Sequence, residues 1–286
     1  MTGGKKLGFV GLGVMGGPMA GHLLEHGAEL TVYNRTRAKA EALVARGARY
    51  AEMAELATRC EVILTCVGRT EDVWECLEAM KDAPSGTLFI DHSTISPGGA
   101  QDMHSELAKR GHRFVDAPIT GGSMGAQKGQ LTIFLGGDPA DVEEAIEVVK
   151  PYSKRSGAVG GPGAGQKFKL TNQIAIAGAL LGLCECMSFA KKSGLDLEQV
   201  KDLIGGGAAG SWTFDNYAPR ILTEDWTPGF SIRNQRKDFG YCREAASEIG
   251  AAIPGTMLVD SLLKLLDEEG HADWTTAALY KALLEL

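Results

Sequence analysis

A chain of 286 residues with 44% hydrophobic and 23% charged side chains has the composition of an ordinary globular protein and is long enough to bury two cores. The formal net charge of -7 and the pI near 5.5 argue against a nucleic-acid partner, which calls for a basic stripe that the sequence does not show. The longest apolar run, Ile174–Cys184, has 11 residues, short of the ~20 that span a bilayer, so the expected partner is a small molecule and not a membrane. The six cysteines, at 60, 66, 76, 184, 186 and 242, show no C-x-x-C spacing and read as reduced packing residues. With no signal peptide before the first strand, they point to the cytoplasm.

The first expected element is a strand at Leu7–Val10, followed at once by GLGVMGG. Gly11, Gly13 and Gly16 there stand in G-x-G-x-x-G spacing between a strand and a helix. The three glycines suit a tight turn, close approach of backbone to a pyrophosphate, and close helix–strand packing. The next strand, Leu30–Tyr33, runs into Asn34-Arg35-Thr36-Arg37. A site for NAD usually places an acidic side chain at this point, and this chain has none. Arg35 can clasp a 2′-phosphate and Thr36 can donate to it, which favours NADP(H) while leaving NAD(H) possible. The plain alternative is that Arg35 and Arg37 are solvated loop charges.

Further strands are expected at Val62–Cys66, Leu88–Asp91, Arg113–Asp116 and Leu131–Leu135, with another near Ser156–Val159. Helices fill the gaps. Ser96-Pro97 opens one that Gly111 closes, and Asp138-Pro139 opens a second. This alternation predicts a doubly wound, parallel Rossmann sheet over residues 1–164. Two segments follow strand ends, where such sheets hold their ligands: DHSTISP, and DAPITGGSMGAQKGQL. In the latter, Thr120-Gly121-Gly122 offers a hydroxyl and bare backbone N–H groups to an anion such as a carboxylate.

From 165 to 286 no strand pattern follows, and the stretch reads as an all-α domain. Its first helix runs from about Gln166 to Lys192 and stops at Gly194; the next has Asp196 as N-cap and Gln199 at the third position. Lys169, Asn172 and Gln173, spaced i, i+3, i+4, project from one helix face. An ammonium beside two amides is costly to desolvate unless something polar meets it. Lys167 reads as a solvated charge. No metal site is expected from the six histidines, and His92 reads as structural. Trp212 and Phe230 either wall a substrate pocket or simply pack.

GLGVMG, DHSTISP, DAPITGG with GAQKGQL, and GAGQKFKLTNQ together resemble the β-hydroxyacid dehydrogenase family, over essentially the whole chain. That family includes 3-hydroxyisobutyrate dehydrogenases and tartronate semialdehyde and glyoxylate reductases. The resemblance implies hydride transfer between NAD(P)(H) and a small carboxylate substrate, and a helical domain that assembles a homodimer or homotetramer. By position it implies that Lys169 is the catalytic acid/base and Asn172 its neighbouring amide. Thr120, Gly121, Gly122 and Gln173 would meet the substrate. Gly11, Leu12, Gly13, Val14, Met15, Asn34, Arg35, Thr36, Val67, Gly68, Asp72, Thr94 and Lys237 would meet the cofactor. The chain departs from many members at Thr120 (Ser), Gln173 (Asn), Gly68 (Pro) and Asp72 (Asn). Alternatives on the same fold are imine reduction, in which Asp or Tyr typically occupies the lysine position, and a catalytically silent dinucleotide sensor.

Overall fold

The computed structural model describes residues 4–286. They divide into two compact units, the first running to Lys169 and the second from Leu170 to Leu286.

The first unit is built on nine strands: β1 (Lys6–Val10), β2 (Glu29–Tyr33), β3 (Arg49–Tyr50), β4 (Val62–Thr65), β5 (Leu88–Asp91), β6 (Arg113–Asp116), β7 (Ile119–Thr120), β8 (Leu131–Gly136) and β9 (Ser153–Gly160). They lie in the order β3-β2-β1-β4-β5-β6-β8-β7, with β9 on β8. From β3 to β6 every pairing is parallel. Strand alternation splits the buried side chains between two faces. Leu64, Ile90 and Val115 align across three strands on one face, and Ile63, Phe89 and Phe114 align on the other. Both faces are buried under helices, as a parallel sheet requires.

The sheet departs from parallel pairing at one edge. β8 runs antiparallel to β6 and β7, and only β9 restores a parallel pair. The helix before β8, Gly122–Gln127, has 6 residues, ~9 Å of rise. It is too short to return the chain to the far end of the sheet, so β8 starts near the carboxyl edge and runs back. β3 and β7, two residues each, carry too little pattern to be legible.

Caps follow the sequence in part. The Ser96 hydroxyl accepts from Gly99 N and Asp196 accepts from Glu198 N and Gln199 N. Asp138 stands at its helix start without capping it; His104 Nε2 lies 3.2 Å from its Oδ2.

In the second unit, the Ala164–Lys192 helix contributes Leu170, Ala177, Leu180, Leu183, Cys184 and Met187 to a core closed by Phe214, Phe239, Val259 and Leu279. That helix is long and apolar enough to pass as a membrane span by composition, but its apolar residues form the axis of this core. Trp212 is half exposed and stands edge-on to Tyr217.

Candidate active site

The glycine turn fits a dinucleotide. Gly11 has φ +98°, and a Cβ there would sit 2.2 Å from the Cys66 carbonyl oxygen; one on Gly16 would sit 1.9 Å from the Gly11 oxygen. A Cβ on Gly13 would meet nothing within 4 Å. The turn is therefore tight toward the sheet and bare on its outer side. The Gly16–Glu25 helix that follows has no side-chain cap and no acidic residue in its first turn, so no carboxylate opposes an anion at the positive end of its dipole. Val14 is exposed and Met15 partly so, whereas Leu12 is buried.

Asn34 braces this turn. Its Oδ1 accepts from Leu12 N at 2.8 Å and its Nδ2 donates to the Thr36 carbonyl at 2.9 Å. Asn34 thus holds the loop with its side chain, and Arg35 and Thr36 beside it are exposed. Arg37 lies over the Tyr50 ring, 4.7 Å from its centroid.

Register gathers the remaining loops at one edge. Tyr33, Val10, Thr65, Asp91 and Asp116, each the last residue of its strand, pair across neighbouring strands. The loops leaving Val10, Tyr33, Thr65 and Asp91 each carry an expected site residue, and the chain leaving Asp116 reaches Thr120 through β7. The strand order reverses direction from the central β1, which is where open α/β sheets bind nucleotides.

Within this row Asp91 Oδ1 accepts from the Thr65 and Ser93 hydroxyls, both at 2.7 Å. Ser93 Oγ in turn accepts from Val67 N at 2.9 Å. Thr94 is partly buried between Ser93 and Ile95. Gly68 is exposed, and a Cβ on it would lie 2.4 Å from Asp72 Oδ2, the oxygen that accepts from Arg69 N at 2.9 Å. Asp72 therefore works as a cap within its own turn, and glycine at 68 makes room for it. His92 is structural: Nδ1 lies 2.7 Å from the Ala117 oxygen and Nε2 2.8 Å from the Tyr152 hydroxyl. Burial lowers its pKa to about 4.

Gly121 and Gly122 have φ of +125° and +63°, values that side chains resist. They lead from Thr120, paired with Thr132 on β8, into a short helix.

The Ala164–Lys192 helix starts against β6. Asp116, fully buried, accepts Gly163 N at 2.8 Å on Oδ1 and Gln166 N at 2.9 Å on Oδ2. Burial raises this carboxyl to about 7, with nearby Asp91 adding to the shift and the two N–H groups opposing it. Lys169, one turn on, is 7% exposed, whereas Lys167 is exposed.

In the second unit the amides form a chain. Asn172 Nδ2 donates to Gln173 Oε1 at 3.0 Å, and Gln173 Nε2 donates to Asp238 Oδ2 at 2.7 Å. Lys237 Nζ is 3.2 Å from Asp238 Oδ1. Gln173 is 1% exposed and its amide is used within the protein, so it supports Asn172. Asp116, Gln166 and Asp238 were not singled out as site residues in the sequence. The visible signals were a carboxylate at a buried strand end, a glutamine one turn before the lysine, and an acid beside Lys237.

Comparison with known proteins agrees with this geometry. Residues 6–161 match the family model described as the NAD binding domain of 6-phosphogluconate dehydrogenase. Residues 163–283 match that described as NAD-binding of NADP-dependent 3-hydroxyisobutyrate dehydrogenase. A probable 3-hydroxyisobutyrate dehydrogenase-like protein of Arabidopsis thaliana is 38% identical over 98% of this chain and 86% of its own. The NAD-dependent L-serine dehydrogenase of Pseudomonas aeruginosa is 32% identical over 94% of each. The solved structure of Mycobacterium tuberculosis 3-hydroxyisobutyrate dehydrogenase with L-serine superposes with a TM-score of 0.88 at 28% identity, covering 98% of this chain and 99% of that one. A bare glycine turn at a sheet switch point, a buried lysine near the start of the Ala164–Lys192 helix, and matches along nearly the whole length converge: the chain is an NAD(P)-binding oxidoreductase and belongs to the β-hydroxyacid dehydrogenase family.

Proposed function

We propose that the enzyme interconverts a short β-hydroxyacid and its semialdehyde, with NADP(H) favoured over NAD(H) and Lys169 as the proton carrier. The observation that carries this reading is the burial of Lys169 on a helix fastened at its start by Asp116. A solvated lysine needs no such support.

When bound, the dinucleotide supplies or accepts a hydride at its nicotinamide ring. Gly11 to Met15 and the open helix start receive its pyrophosphate, Asn34 keeps that turn in shape, and Arg35 with Thr36 meets the 2′-phosphate. The Val67–Gly68 turn and Thr94 line the sheet edge beside it, and Lys237 adds a positive charge. Thr120 and the Gly121–Gly122 amides hold the substrate carboxylate. Lys169 gives a proton to the oxygen that gains charge in reduction and takes one from the hydroxyl in oxidation. Asn172, oriented through Gln173 and Asp238, holds the reacting oxygen or the amine. A lysine at 169 disfavours imine reduction.

The family's named substrates, 3-hydroxyisobutyrate and L-serine, define the first test panel, with glyoxylate and tartronate semialdehyde for the reductive direction. Nicotinamide absorbance read with both cofactors is the assay. Turnover of at least one acid, faster with NADP(H), supports the reading; tight nucleotide binding without turnover supports a sensor.

The Ala164–Lys192 helix also exposes Thr171, Ala175, Gly178, Gly182, Glu185 and Phe189 along one stripe, with nothing within 4 Å of a Cβ on either glycine. This bare face supports assembly as a homodimer or homotetramer, measurable by light scattering. No disulfide joins any of the six cysteines, which suits a reducing compartment such as the cytoplasm.

A further inference from the structure

Gln166 has no solvent exposure, yet its side chain is an amide. Burial of such a group is costly unless both ends are satisfied. Here they are: Nε2 donates to the Ser93 carbonyl at 2.9 Å and Oε1 accepts from Ile95 N at 3.1 Å. The two bonds bracket Thr94. The same loop is tied on its other side, where the Ser93 hydroxyl donates to Asp91 and accepts from Val67 N. A continuous chain of hydrogen bonds therefore joins the Val67 turn, the Ser93–Ile95 loop and the start of the helix. Lys169 stands three residues after Gln166, on the same helix face.

We propose that Gln166 is a positioning residue: it locks the Ser93–Ile95 loop to the helix of Lys169 and so fixes the amine relative to the loop that seats the cofactor. The inference rests on the role given to Lys169 above. Only an amide does this work, because glutamate has no donor for Ser93 and an apolar side chain leaves both backbone groups buried without partners. Since geometry errors near 1 Å can cost ~100-fold in rate, the clamp matters for turnover more than for binding.

The test uses Gln166→Met, which removes both bonds, and Gln166→Glu, which keeps the acceptor and serves if the first fails to fold. In nucleotide-free protein, hydrogen exchange at the 93–95 amides should accelerate by about tenfold or more while Leu88–Asp91 stays protected. With the fastest acid of the panel, kcat should fall by roughly 10–100-fold, while the nucleotide Kd changes by less than about threefold. In a Lys169→Ala background, adding Gln166→Met should change the single-turnover rate by less than about twofold, because a residue acting through the lysine has nothing left to act on. Unchanged exchange at 93–95, or additive losses in the double variant, overturns the inference while leaving the lysine's role intact. Full turnover by Lys169→Ala alone overturns that role and this inference with it.

Discussion

Asp116, the last residue of β6, accepts the backbone N–H of Gln166 at 2.9 Å, so a strand end holds the first turn of the helix that carries Lys169. The bond crosses 50 residues of sequence. Gly163 N fills the other carboxylate oxygen, so one buried side chain satisfies two backbone N–H groups at the helix start.

That carboxyl makes stability depend on pH. Asp116 ordinarily titrates near 3.8 and is raised by burial to about 7. Between these values the folded chain keeps a proton that the unfolded chain has released, so the contribution of Asp116 is fully present below pH 3.8 and is lost as pH rises through 7. His92 acts in the opposite direction. Its pKa falls from 6.5 to about 4, so the unfolded chain gains a proton first and stability drops as pH falls from 6.5 toward 4. The two slopes oppose each other in the wild type. Replacement by Asn at 116 should leave the His92 slope alone, so the stability of Asp116→Asn relative to wild type should improve between pH 4 and 7. Urea unfolding at a series of pH values reads this; a constant gap between pH 5 and 8 would show that Asp116 does not titrate there.

Asn34→Ala removes the acceptor of Leu12 N and the donor to Thr36. Loss of such a brace costs ~1–3 kcal/mol, part of it as stability and part as looser nucleotide binding. Isothermal titration should show weaker affinity for NADPH and NADH alike, because the braced turn serves the pyrophosphate common to both. A loss confined to one nucleotide would place Asn34 at the ribose instead.

Arg35→Ala has a different signature. Its partner would be the 2′-phosphate, and a charge-assisted hydrogen bond is worth ~1.5–3 kcal/mol. The KM for NADPH should rise by roughly 10–100-fold on that figure, with little change for NADH. Parallel rises in initial-rate kinetics would return Arg35 to the status of a solvated charge.

Thr120→Val keeps the shape of β7 and removes one donor. Substrate KM should increase about tenfold for loss of one hydrogen bond, with nucleotide affinity unaltered. Identical kinetics with the best acid would remove Thr120 from the pocket.

What the sequence reveals is local. Gly11, Gly13 and Gly16 lie within one turn, and their tasks follow from spacing alone. Lys169, Asn172 and Gln173 share a face because a helix repeats every 3.6 residues. The supporting residues are harder to see, because their partners are set by topology. Gln166 meets Ser93 across 73 residues and Gln173 meets Asp238 across 65. The strand order sets the first pairing, and the packing of two helices in the second unit sets the other. Gln173 shows the consequence: spacing places it on the face of Lys169 but does not reveal its hydrogen bonds to Asn172 and Asp238.

The most direct measurement is the paired determination, on Lys169→Ala, of the single-turnover rate and the nucleotide Kd. The account predicts a rate lower by about 10²–10⁴-fold, the usual worth of a positioned acid or base, with the Kd unchanged within about twofold. A rate close to wild type, or a Kd that rises in step with the loss of rate, would contradict it.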